Sequence, residues 1–511
     1  MLKPSHSSLN RRRLLTSGIA VIGVSLVAAC SQAAAPSPTA APAAPTTAAA
    51  KPTAASALPT AASAAAKPTS APAAPTAAPA AQAQPSTAAG GQLEMFTGKI
   101  LNPPGVQDKV NQQLISDFQK ANPGVKISWS TYTSASEETT KIETSVASGS
   151  GPDIFEFGST VVPTAAATGD YVVLSTSDWD TLGGQKKFFP AQLKMSGLSP
   201  GQLIAVPEYM LPFALVYNTD LLDQAGAKPP TTWTEFIDTA KKINNPSKQI
   251  WGTVMDPSDP FDPWHILWVL AKQNGGDFVS ADLTKATMNT QQVYDANRFW
   301  FDWMAKYQVA NIGDATFKGT DQLNAFSSGH VGMLVMQGPT LIPSLDKSAV
   351  AGKYAFAPMP TIPYGMSASP AGGEPVQTFV SGQYLTIAKY TKVHDLALQW
   401  LKFMTDVPQQ MLFLKSYGYM PAIEAAYTDP SLQTPIWKAF VDAENHAYGT
   451  PLTGAWGPIE VVVGGYSAKI AAAIATKSYQ SGDLKKALAA AQDQVQKLLD
   501  DEQAKKKQAG A

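Results

Sequence analysis

Cysteine is nearly absent: Cys30 is the only one in 511 residues. It cannot sit in a folded core, because the sixty or so residues after it have almost no large apolar side chains. From Ser31 to about Gly91 the chain is Ala, Pro, Thr and Ser, with Lys51 and Lys67 its only charges. Ordering such a segment costs backbone entropy that no burial offsets, so it reads as a tether, extended at ~3.1 Å per residue where it is polyproline II. Acidic residues are missing before Glu94, and the first 91 residues hold six basic ones. What remains has 32 basic against 39 acidic residues, a formal charge of −7, which argues against a nucleic-acid or anionic-membrane surface. Catalytic signatures are few: there is no His-Glu-x-x-His, no Gly-x-x-x-x-Gly-Lys and no Gly-x-Gly-x-x-Gly. His6, His265, His330, His394 and His446 are scattered, none with a second ligand at metal spacing. No metal and no cofactor are expected.

At the N-terminus, Arg11-Arg12-Arg13 precedes an apolar run from Leu14 to Ala29. Basic then apolar is the order of an export signal, and the run is shorter than the ~20 residues that span a bilayer. Leu26-Val27-Ala28-Ala29-Cys30 resembles the box at which bacterial lipoproteins are cleaved and acylated, with Val27 where that pattern favours leucine. The resemblance implies a lipid on Cys30 as first residue of the mature protein, anchored to the outer face of the cytoplasmic membrane. Asn10-Arg11-Arg12-Arg13-Leu14-Leu15 also resembles a twin-arginine signal, and an ordinary Sec signal with three basic residues reads equally well. Residues 1–30 are thus read as signal and 31–91 as tether.

The following 420 or so residues are too many for one typical core and imply two domains. Leu93 to Thr97 reads as a strand, Val110, Leu114 and Phe118 have helical spacing up to Asn122-Pro123-Gly124, and Val125 to Ser130 alternates as a second strand. An amphipathic segment from Glu137 to Val146 leads to a third strand, Ile154 to Phe157. Helices between short strands predict an α/β fold with parallel pairing. Ligands of such sheets bind beyond the carboxyl ends of the strands, here at Phe157, Gly158 and Ser159.

The stretch Leu215-Val216-Tyr217-Asn218-Thr219-Asp220-Leu221-Leu222, followed by Ala225-Gly226-Ala227-Lys228-Pro229-Pro230-Thr231-Thr232-Trp233-Thr234-Glu235-Phe236, has a local reading of its own. Thr232 and Glu235 form a capping box for a helix with an apolar face of Trp233, Phe236, Ile237 and Ala240. It also resembles the middle signature of extracellular solute-binding proteins of carbohydrate-uptake ABC transporters, the maltose-binding-protein-like family. Ala325-Phe326-Ser327-Ser328-Gly329-His330-Val331-Gly332-Met333, the helix Asp395 to Met404, Tyr417-Gly418-Tyr419-Met420-Pro421 and the final helix around Ala487 to Val495 resemble further family segments in the right order. His330 and Pro339-Thr340 depart from the family pattern, which bears on the ligand rather than the fold.

The resemblance implies the two-lobed periplasmic-binding-protein type II fold, with hinge crossings near Val206 to Pro212, Phe379 to Gln383 and Ala425 to Gln433, and an interlobe ligand cleft. Lobe 1 is expected from 92–208 plus about 379–428, lobe 2 from 209–378 plus about 429–511. The implied partners are a small-molecule sugar and an ABC permease with its ATPase, with the protein itself a monomer that binds no nucleic acid. A sugar needs flat aromatic surfaces and fixed polar groups. Trp456, where the family stacks on sugar, heads the candidates, followed by Trp264, Tyr209 and Phe157. Ser159, Glu208, Gln337 and Gln383, at strand ends or crossings, are the polar ones. The competing reading of Trp264 is core, since it lies four residues from Trp268 on one helical face; Trp300 and Trp303 read as core as well. Two other classes stay open. A secreted glycosidase needs only two well-placed carboxylates, and an adhesive lipoprotein would use the same tether. Within binding proteins the alternative cargo is a phosphate ester such as glycerol-3-phosphate, which would ask for an Arg or Lys fork where no Arg cluster is evident.

Overall fold

The computed structural model describes residues 91–508 apart from 101–104, 134 and 481. The expected export signal, Cys30 and the tether up to residue 90 lie outside the described residues. Twelve strands are described: β1 Gln92–Gly98, β2 Lys126–Tyr132, β3 Ile154–Gly158, β4 Ala205–Met210, β5 Ala214–Asn218, β6 Trp251–Thr253, β7 Val331–Gln337, β8 Tyr354–Ala357, β9 Thr378–Phe379, β10 Gly382–Ile387, β11 Met420–Pro421 and β12 Ala447–Tyr448. They form a six-stranded sheet in the order β11-β4-β10-β3-β1-β2, a four-stranded sheet in the order β6-β7-β5-β8, and the short ribbon β12-β9.

In the larger sheet β1 pairs in parallel with both β2 and β3, as the sequence predicts for strands joined by helices. The helix Val106–Ala121 buries Val110, Leu114 and Phe118 and stops at the Asn122-Pro123-Gly124 breaker. β10 arrives from far along the chain and runs antiparallel between β3 and β4. Its first residue must be small: a Cβ on Gly382 would sit 2.2 Å from the Tyr209 carbonyl oxygen. Behind this sheet the helix His394–Met404 buries Trp400, whose ring meets Phe118 edge-on at 5.0 Å.

Around the smaller sheet the core is aromatic. The capping box at Trp233–Ile243 is closed, with Thr232 Oγ1 accepting from the Glu235 N–H at 3.1 Å and the Glu235 carboxylate accepting from the Thr232 N–H at 3.2 Å. Such a cap stabilises by about 1 kcal/mol. It starts a helix whose Trp233, Phe236, Ile237 and Ala240 are wholly buried. Trp233 and Phe236 pack against Trp303 of the helix Gln291–Ala305, which also buries Trp300. The final helices, Trp456–Ala475 and Asp483–Gln508, pack on each other and on this unit.

The chain passes between the two sheets from β4 to β5 through 211–213, from β8 by way of the ribbon strand β9 and residues 380–381 to β10, and beyond β11 through 424–433 to the helix Pro435–Asn445, which packs on β8 and β5. A buried polar link crosses here: the Tyr384 hydroxyl donates to Gln192 Oε1, and Gln192 Nε2 donates to Glu444 Oε1 at 3.0 Å. Nearby, the Thr164 hydroxyl donates to the Gly454 carbonyl at 3.3 Å, joining the helix after β3 to the loop before Trp456.

Candidate ligand-binding cleft

A cavity of about 220 Å³ opens at these crossings. Leu211, Phe213, Phe379 and Ser381 come from the two crossing segments. The opposite wall is built from the loop and helix start 254–266, from Gly319 to Leu323, and from the end of β7. The lining is apolar at Phe213, Phe261, Ile266, Met336 and Phe379 and acidic at Asp256, Asp259 and Asp262, and among the described residues no lysine or arginine lines the cavity.

The acidic loop is the run Asp256-Pro257-Ser258-Asp259-Pro260-Phe261-Asp262-Pro263. Its three prolines have no N–H to offer, so its conformation is fixed from elsewhere. Asp259 is the staple: Oδ1 accepts from the N–H groups of Phe261 and Asp262 at 2.8 and 2.9 Å, and Oδ2 from Gly319 at 2.7 Å. Ser258 Oγ donates to the Ala315 carbonyl, and Asp314 accepts from the Met255 N–H. From behind, the helix Trp456–Ala475 presses close. Ser467 Oγ donates to the Pro257 carbonyl at 2.8 Å, and a Cβ on Gly464 would lie 2.2 Å from the Pro260 oxygen, so only glycine admits this approach.

Asp256 and Asp262 then have work left over. Gln322 Nε2 donates to Asp256 Oδ2 at 2.6 Å, and the two carboxyls hydrogen-bond each other. Burial pushes Asp256 up to about 7, with the Asp259 charge adding to it, and Asp262 rises well above the carboxylate range from burial and the charges of Asp256 and Asp259. The pair therefore shares a proton near neutrality. Although protein surrounds Asp262, its side chain keeps 31 % of its surface, which fits a group facing an enclosed cavity.

His265 completes the wall. Its ring lies 4.7 Å from Phe379 in a near-parallel stack and 5.1 Å from Phe261, and burial drives its pKa down to about 3, so it is neutral. It is 8 % exposed, and Nε2 has no hydrogen-bond partner. At the end of β7, Met336 holds φ 53°, the left-handed region, beside a register shift against β5. A non-glycine residue there costs on the order of 1 kcal/mol and turns Gln337 into the cavity wall.

Of the residues singled out from sequence, Gln337 alone lines this cavity. Trp264 and Trp456 are 0 % and 1 % exposed, and their rings meet edge-on at 5.6 Å inside the aromatic core. Trp456 is the first residue of its helix, and its N–H lies near the Glu460 carboxyl but outside hydrogen-bond geometry. Phe157 packs edge-on against Tyr171, and Tyr209 stacks on Tyr419 at 4.1 Å, both rings buried. Ser159, Glu208 and Gln383 are buried at the ends of β3, β4 and β10, with Ser159 Oγ and Glu208 Oε2 unpaired. Glu208 and Glu156 form a second carboxyl pair, both raised by burial, Glu208 to about 8. Sequence reasoning missed the acidic loop, whose signal was present as three Asp-Pro pairs in eight residues.

Two sheet-based units joined by crossing segments, with a cavity at the crossings, make a two-lobed α/β architecture. The model of the bacterial extracellular solute-binding proteins matches residues 102–411, more than half of the chain, and the chain belongs to that family. The diacetylchitobiose binding protein DasA of Streptomyces coelicolor is 25 % identical over 332 residues, covering 63 % of this chain and 72 % of the relative. Among solved structures, the GacH receptor of Streptomyces glaucescens, determined unliganded and with acarbose, superposes with a TM-score of 0.64 at 22 % identity, over 81 % of this chain and all of that one. The sugar-binding protein MalE from Xanthomonas citri gives 0.67 at 18 % identity, over 82 % and 100 %. The two-lobed fold and the family expected from sequence both stand.

Proposed function

We propose that the protein captures a sugar in the cleft and delivers it to an ABC permease, exported and held at the outer face of the membrane by a lipid on Cys30. The observation that carries this reading is the cavity at the lobe crossings, which Phe213, three carboxyls, Gln337 and His265 line together. Apolar CH faces and a rim of hydroxyls are what such a wall complements. Sugar-binding relatives named above support the same reading. Binding then stabilises the closed arrangement by touching both sides of the hinge, and the aromatic role passes to Phe213 and Phe379, with Trp264 and Trp456 as their backing. Release of the guest unchanged, without chemistry, follows from this reading.

The test is a thermal-shift screen of the chain from residue 92 onward against mono- and oligosaccharides. A ligand that binds only the folded state raises the melting temperature, by about 2.7 kcal/mol of stabilisation at a hundredfold excess over Kd. A saccharide that shifts the curve and is recovered intact is the expected result. A panel without a single shift, or recovery of a cleaved sugar, overturns it.

A further inference from the structure

The wall chemistry of the cavity selects among sugars. Three carboxyl side chains face it and no lysine or arginine does, among the described residues. Beyond residue 13 the only arginine is Arg298, which is paired with Asp295 at 2.9 Å and lines a different cavity. Asp259 spends its oxygens on three backbone N–H groups, whereas Asp256 accepts from Gln322 and bonds Asp262, whose Oδ1 also lies 3.9 Å from the neutral His265 Nδ1. Two adjacent carboxyls in a protein wall, with no cation beside them, form a site of strongly negative potential as soon as both ionise. A metal ion is not the natural occupant, since among the described residues no three His, Cys, Asp or Glu side chains are disposed to hold one.

A second observation points to a guest of hydrogen-bonding character. His265 lines the same cavity, is more than nine-tenths buried and leaves Nε2 without a partner. A buried polar atom of this kind is unfavourable until a partner arrives. Beside it the Phe213 ring, 5.4 Å from His265 and 5.1 Å from Phe379, suits the CH side of a ring rather than a flexible aliphatic chain.

We infer that the cleft is built for a saccharide bearing a protonated amine, seated with its ring on Phe213, its ammonium on Asp256 and Asp262, and a polar group on His265. The inference rests on the sugar-capture reading above and narrows it. An ammonium releases the proton the pair shares and leaves both carboxylates paired, so charge and hydrogen bonding are satisfied together.

The experiment measures binding of four probes to the protein from residue 92 onward: the disaccharide of glucosamine, its N-acetylated counterpart, maltose and spermidine. The expected result is binding of the glucosamine disaccharide at least tenfold tighter than of its N-acetylated form, with the preference abolished in the double variant Asp256→Asn, Asp262→Asn. Asparagine keeps the shape and the acceptor for Gln322. A melting curve of the ligand-free variant checks its fold, and Asp262→Asn alone, which should reduce the preference at least threefold, serves if the double variant unfolds. Equal or tighter binding of maltose or the acetylated sugar overturns this inference and leaves sugar capture standing. Binding of spermidine with no saccharide bound overturns both, and so does binding of none of the four. A preference that survives in the variants moves the charge recognition elsewhere and overturns the site.

Discussion

Each half of the molecule has a buried carboxyl pair, and the two pairs are used differently. In the larger sheet Glu156 and Glu208 hydrogen-bond each other among Tyr209, Tyr419 and the strands that carry them, with Glu138 close enough to raise Glu156 further. In the smaller unit Asp256 and Asp262 do the same at the wall of a cavity. Burial and mutual repulsion raise the pKa values of both pairs, so a perturbed carboxyl does not by itself mark a site. The difference is access. Asp262 keeps 31 % of its side-chain surface and lines a cavity with Phe213 and His265, whereas Glu208 is 2 % exposed.

The comparison breaks first if the backing of the acidic loop is removed. Trp456→Ala empties a wholly buried site beside Trp264, Trp268 and Phe278, in the helix that holds Pro257 and Pro260 in place. It should destabilise the fold by about 3–5 kcal/mol, read from denaturant midpoints. A stability equal to the parent would mean that this tryptophan stands free in the cleft.

Next in size is the pH dependence of stability. Glu138, Asp256 and Asp314 are raised to about 7 and Glu208 and Glu444 to about 8, in each case chiefly by burial. A raised carboxyl binds its proton more tightly folded than unfolded. Its stabilising contribution is therefore present in full below the unfolded value near 4 and is lost as pH rises through 7 to 8. Ionising one such group in place costs on the order of 3 kcal/mol. The melting temperature of the ligand-free protein should accordingly fall by several degrees between pH 5 and pH 8.5. A flat or rising profile would show that these groups ionise freely and that neither pair is buried as described.

The smallest effect sharpens the contrast. Glu208→Gln should change affinity for any bound sugar by less than twofold while making the fall of melting temperature with pH shallower, since one raised carboxyl is gone. A tenfold loss of affinity would bring the larger sheet's pair into the site and end the distinction.

Much of the architecture could be read before any coordinates. The strands β1 to β3, the helices between them and the capping box at Thr232 and Glu235 follow local rules that operate within one or two turns of chain. The Asp-Pro run was equally visible as a pattern, yet nothing local assigns Asp259 to the backbone and Asp262 to a cavity. The tryptophans show another limit of local reading. A flat ring that stacks on sugar and one that fills a core have the same composition signature, and Trp264, four residues from Trp268, lies on the buried side.

Sequence by itself determined the order of elements, the α/β class, the family and the anionic balance of the folded part, because these depend on propensity, periodicity and counting. Only the tertiary structure decided which groups meet in the cleft. Its walls come from residues 211–213, 254–266, 319–323, 335–341 and 379–381, segments separated by stretches of up to about fifty residues and joined only when β7 and β10 pair with strands formed much earlier in the chain. Burial and charge at such a place depend on what the fold packs around each side chain, and no single segment carries that information.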